Sequence, residues 1–97
     1  MTAKLRERDI KKYLLARVKT LGGEARKVRW EGRSGAPDWR VMLCPLFIRP
    51  RCFWAELKAP GEKPTAAQFR EHTRMRRHGE TVYVFDSFDS IDEVLPL

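Results

Sequence analysis

Long apolar runs are missing from this chain of 97 residues, so no segment can cross a bilayer as a helix. A charged-then-apolar leader is also lacking, because Thr2 to Leu21 mixes charged and apolar residues throughout. Together these absences point to a cytoplasmic protein with no membrane partner. Cysteine is scarce: Cys44 and Cys52 are the only two, and neither sits in a Cys-x-x-Cys or His-Cys pattern. That argues against a zinc framework and leaves a reduced pair as the expectation. Repeats, linkers and low-complexity tracts are absent too, so 1–97 is expected to form a single domain. Acidic residues are in the minority, 13 Asp and Glu against 20 Lys and Arg, for a net charge of +7. A folded domain with that balance meets polyanions, nucleic acid first among them, the bland alternative being a basic surface that binds nothing. A chain this short buries a limited core, so a partner subunit would help.

What is present is a regular alternation of elements. Ile10, Tyr13, Leu14, Val18 and Leu21 recur at helical spacing, predicting a first helix over 2–21 with Thr2 as N-cap and Gly22-Gly23 as the stop. Glu7 and Arg17 fall on that apolar stripe. Glu7 either serves an active site, sits beyond the end of the core, or pairs with a nearby Arg or Lys. Arg17 either snorkels outward or meets an acidic group of a partner. Strands are predicted over 24–31, 38–43, 52–58 and 81–85, the first at a sheet edge or on a nucleic-acid-facing surface because neither of its faces is strongly apolar. A second helix follows Thr65 and stops at Gly79, and Ser90 to Glu93 match a capping box for a short last helix. The fold class is therefore α/β: a mixed four-stranded sheet flanked by helices, with the helical crossover making the third and fourth strands parallel.

Two pieces carry the chemistry. Gly35-Ala36-Pro37-Asp38 delivers a carboxylate out of a rigid turn into the second strand, and Glu56-Leu57-Lys58 puts a carboxylate and an amine on one face of the third. Asp38, Glu56 and the backbone carbonyl of Leu57 are oxygen donors suited to Mg²⁺ or Mn²⁺. Lys58 beside them can orient a water and steady charge developing on a phosphoryl group. Gln68 is explained by a capping box with Thr65, or it points back toward Glu56 and Lys58. Arg70, Arg74 and Arg77 form one ridge on the second helix, with His72, Arg76 and His78 nearby, and with Arg29 and Arg33 they are the candidate DNA contacts. Leu46-Phe47-Ile48, between Pro45 and Pro50, is an apolar arm that could join two copies of the chain.

These motifs, in this order, resemble the PD-(D/E)xK nuclease superfamily, and within it the virus-type replication-repair nuclease (VRR-NUC) domain. The resemblance runs from Glu7 to Phe85. It implies a restriction-endonuclease-like core, Asp38 and Glu56 as metal ligands, Lys58 as the catalytic lysine, and Gln68 and Glu7 as supporting residues. DNA is the implied substrate. Free-standing members of this size are similar to the junction-resolving enzymes of phages and prokaryotes, which act as homodimers. The resulting expectation is a metal-dependent endonuclease for branched DNA, four-way (Holliday) junctions above all, in a bacterial or phage-infected cell. A monomeric flap or end nuclease is the alternative, as is a DNA-binding module with a vestigial site.

Overall fold

The computed structural model describes residues 4–43 and 52–95. These form α1 (Glu7–Thr20), β1 (Glu24–Lys27), β2 (Trp39–Met42), β3 (Cys52–Leu57), α2 (Ala66–Arg77), β4 (Val82–Phe85) and α3 (Phe88–Val94). The strands lie in the order β1-β2-β3-β4. The β1–β2 and β2–β3 pairs are antiparallel, whereas β3 and β4 are parallel, as the α2 crossover requires.

One face of the sheet is the main core. Trp39, Val41, Phe53, Ala55, Leu57 and Phe85 turn to this side and meet Ile10, Leu14 and Val18 of α1 and Ile91 and Leu95 at the end of the chain's last helix. Each fully buried aliphatic or aromatic side chain here contributes about 1.5–3 kcal/mol. The other face, bearing Trp54, Glu56 and Val84 by alternation, is covered by α2. Both edges of the sheet, β1 and β4, are short.

Local signals place the helix ends, with three changes from expectation. α1 begins at Glu7 with Arg6 as its N-cap, not at Thr2, and the Asp9 carboxylate accepts the Arg6 N–H at 2.8 Å. Ile10 is the first buried residue of α1, so Glu7 sits beyond the end of the core and is exposed. The last helix starts three residues earlier than Ser90. Ser87 is its N-cap, accepting the Ser90 N–H at 2.9 Å, and Ser90 is the partner inside the box rather than the cap. The first strand stops at Lys27, short of Glu31, and beyond it the Trp30 indole N–H donates to the Pro37 carbonyl at 2.7 Å.

Arg17 neither snorkels nor waits for a partner subunit. Its guanidinium is bonded to Asp92 of α3, and also donates to the Leu95 carbonyl at 3.1 Å. Tyr13 donates to the same carboxylate at 2.7 Å and stacks on Phe88. This polar knot pins α3 to α1. The Leu46-Phe47-Ile48 arm and Cys44 lie outside the described residues, while Cys52 is a free, exposed thiol.

Removing Asp92 takes away the carboxylate that neutralises the largely buried Arg17 guanidinium. Asp92→Ala is expected to cost about 1–3 kcal/mol. For a domain of this size that lowers the melting temperature by roughly 4–8 °C per kcal/mol. Calorimetry showing an unchanged melting temperature would remove the knot from the forces holding α3.

Candidate active site

The β2–β3 ladder decides where the candidate ligands sit. Trp39 pairs with Ala55 and Arg40 with Trp54, so continuing the register by one step brings Asp38 opposite Glu56. On its other side Asp38 is held in the β1–β2 ladder, where Val28 N–H donates to its carbonyl at 2.8 Å. Opposed residues of an antiparallel pair share a face and lie about 4.5–5.5 Å apart at Cα. Lys58 follows two residues after Glu56, on the same side.

The Leu57 carbonyl is oriented by the same ladder. Lys58 N–H turns toward β4 and meets the Phe85 carbonyl at 2.9 Å. Across a trans peptide the preceding carbonyl points the opposite way, toward β2. Its register partner there is Pro37, which has no N–H to give. Pro37 thus sets the rigid turn before Asp38 and also leaves the Leu57 carbonyl without a ladder donor.

Both carboxylates have partners. Asp38, about one-third exposed, is ion-paired to Lys27 of β1, whose ammonium also lies over the Trp39 ring. Glu56 is buried, and its Oε1 lies 3.3 Å from Nε2 of His72, which is 1% exposed. Among the described residues no three His, Cys, Asp or Glu side chains converge on one point. Two carboxylates and one carbonyl nevertheless fit a hard divalent cation, which takes one or two carboxylates and completes its shell with water and substrate phosphate. Such a cation would compete with Lys27 for Asp38.

The second helix braces this arrangement. Gly35, at φ +84°, lets the turn lie directly on the start of α2: a Cβ there would stand 2.5 Å from the Ala67 carbonyl oxygen and 2.8 Å from the Gln68 nitrogen. Gln68 closes the capping box, its Oε1 accepting the Thr65 N–H at 2.9 Å and its N–H donating to Thr65 Oγ1 at 3.2 Å. Any further role in the site falls to its amide nitrogen. One turn on come the two buried residues of α2, Glu71 and His72. Glu71 receives Arg33 through both oxygens, at 3.1 and 2.5 Å, and Arg74 at 2.6 Å. Glu71 thus ties the turn that carries Asp38, and His72 contacts the strand that carries Glu56. His72 is not part of the basic ridge, and the sequence reading missed its place beside Glu56. The signal was available, because His72 lies four residues after Gln68 and so on the same side of the helix. Glu7 is not brought into contact: α1 lies on the Trp39 face, and Glu7 makes no hydrogen bond or ion pair among the described residues.

The five arginines line consecutive clefts. Arg29 and Arg33 border a groove with Lys27, Trp30 and Asp38. Arg33 continues into a cleft of about 280 Å³ with Arg70 and Arg74, and these two run on to Arg77 beside the exposed Phe69. One cationic track therefore leads from Asp38 along α2.

Hydrogen bonds from Arg33, helped by the nearby charges of Arg33 and Arg74, hold the Glu71 carboxyl below its ordinary range despite its desolvation. A depressed native value means the stabilisation is fully present above the unfolded glutamate value of about 4.3 and is lost as pH falls through the native one. The urea midpoint should therefore fall with acidity below that range. Glu71→Gln should flatten this part of the profile while lowering the midpoint at neutral pH. Parallel profiles for the two proteins would rule out the Arg33–Glu71–Arg74 cluster as a source of acid lability.

Comparison with known proteins places the site in a family. No family model matches the chain. It is 42% identical over 92 residues to a protein named "Putative nuclease p44" from Acyrthosiphon pisum secondary endosymbiont phage 1, covering 95% of this chain and 94% of that one. A solved structure described as a VRR_NUC domain superposes with a TM-score of 0.77 at 40% identity, covering 94% of each chain. At these identities and over nearly the whole of each chain, the likeness is one of family and not of fold alone, and the chain belongs to the VRR-NUC nuclease family.

Proposed function

We propose that this VRR-NUC nuclease is a metal-dependent, structure-selective DNA endonuclease that hydrolyses phosphodiester bonds in branched DNA, four-way junctions in particular. The observation that carries the reading is the arginine track leading to Asp38. A cationic groove that reaches the Asp38 carboxylate suits a polyanion bound by its phosphates and cut at one end of the contact.

Asp38, Glu56 and the Leu57 carbonyl would hold Mg²⁺ or Mn²⁺, which when bound polarises a phosphoryl oxygen and acidifies a water. Lys58, on the Glu56 side, orients that water and stabilises the charge developing on the phosphoryl group. Arg33 and Arg70 grip the backbone next to the scissile bond, and Arg77 extends the grip along α2. The protein acts as a homodimer, because two sites related by a two-fold axis can nick a junction symmetrically. Arg17 is spent inside the protomer, so the interface has to use other residues, with Leu46, Phe47 and Ile48 the first candidates. The pairing of both carboxylates with Lys27 and His72 favours one rival, a DNA-binding module with an idle site.

Cleavage separates the two readings. Asp38→Asn, Glu56→Gln and Lys58→Ala should each lower turnover on a four-way junction by about 100-fold or more without loss of fold. Turnover near wild type for any one removes that residue from the site, and cleavage in excess chelator sinks the metal mechanism.

Binding tests the track. Arg70→Ala and Arg77→Ala should each reduce the slope of log K against log salt by roughly 0.9 on duplex DNA. Arg74→Ala should reduce it less, since Glu71 already shares that guanidinium. Unchanged slopes would mean this face of α2 is only solvated.

A further inference from the structure

His72 is a histidine in a place that a histidine does not need for packing. It is 1% exposed, on the inner side of α2, and its Nε2 is 3.3 Å from Oε1 of the buried Glu56. Burying a carboxylate is costly unless it is hydrogen-bonded, and among the described residues His72 supplies the side-chain hydrogen bond to Glu56. The neighbouring Glu71 is committed to Arg33 and Arg74, so it does not compete for the imidazole.

We propose that His72 is the positioning residue for Glu56: its Nε2–H donates to Oε1 and fixes the carboxylate so that Oε2 is presented to the divalent cation. The inference rests on the reading of Asp38 and Glu56 as metal ligands. A free glutamate side chain on a strand samples several rotamers, and only some aim an oxygen toward the Asp38 side of the ladder. Holding Oε1 from the α2 side removes that freedom before the cation arrives. Partners of this kind behind a metal ligand typically set affinity by about 10–100-fold. Because α2 also carries Glu71, one helical turn fixes the Glu56 carboxylate and, through Arg33, the turn leading to Asp38.

The imidazole borders a cavity of about 500 Å³ with Phe69, Arg76 and Val84, so side chains of similar length can replace it. Gln and Met are nearly isosteric; the first places an N–H where the imidazole has one, and the second does not. Mn²⁺ binding to the full chain without DNA, followed by electron paramagnetic resonance, is the direct readout. His72→Met is expected to weaken Mn²⁺ binding about tenfold and His72→Gln to restore it to within about threefold of wild type. Thermal unfolding of both variants controls for packing. Should His72→Met fail to fold, the Gln variant and His72→Phe supply the same contrast of donor against no donor. Equal Mn²⁺ affinity for the folded donor and non-donor variants and the wild type would overturn the proposal. Glu56→Gln in the same assay keeps the two ideas apart: unchanged Mn²⁺ binding there would sink the metal site itself, whereas its loss beside a normal His72→Met would sink only the role of His72.

Discussion

Everything at the candidate site depends on the pairing of Trp39 with Ala55 in the β2–β3 ladder. Strand side chains alternate with a period of two, so a slip of one residue would turn Trp39 and Val41 out of the core and drive Asp38 and Arg40 into it. The apolar set Trp39, Val41, Phe53, Ala55 and Leu57 packed on α1 and α3 therefore fixes the register. Fixing it there also fixes Asp38 against Glu56, one step beyond the last core pair. The site needs no separate device to align its two carboxylates along the backbone. It is a by-product of burying the other face.

Side-chain order is a different matter and comes from α2. The start of that helix lies on Gly35 so closely that no Cβ fits between them. From its inner surface Glu71 reaches back to Arg33 and His72 to Glu56. Glu71 also limits the basic ridge. Two of the five arginines assigned to DNA are already paired with it, so the charge offered to phosphate along this face is smaller than a count of arginines suggests. The gain is rigidity: guanidiniums held in a fork lose less freedom on meeting a phosphate than free ones do.

Much of this was legible in the sequence, for reasons that can be stated residue by residue. The Thr65–Gln68 box, the stop at Gly22 and the two faces of the third strand are set by neighbours within four residues, and pattern reading captures them. The edge position of β1 followed from its lack of an apolar face. Partners distant in sequence were not legible. Arg17 and Asp92 are 75 residues apart and Arg33 and Glu71 are 38 apart, so each charge looked uncommitted until the fold brought its partner. Ser90-x-x-Glu93 and Ser87-x-x-Ser90 are both cap-like in sequence; the fold uses the second, with Phe88, the first residue after that cap, stacked on the distant Tyr13.

The two carboxylates are partnered unequally, and this has a consequence for how a cation would enter. Asp38 is partly exposed and paired with a lysine that is itself mostly exposed, a bond that water and salt weaken. Glu56 is buried, and its bond to His72 is shielded from solvent. If Asp38 and Glu56 are the metal ligands proposed above, a cation arriving from the groove would displace the Lys27 ammonium at little cost while the Glu56–His72 contact stayed in place. On that reading the buried carboxylate would be pre-set and the exposed one exchangeable. Without a cation each carboxylate still has a polar partner close at hand, the Lys27 ammonium for Asp38 and the His72 imidazole for Glu56.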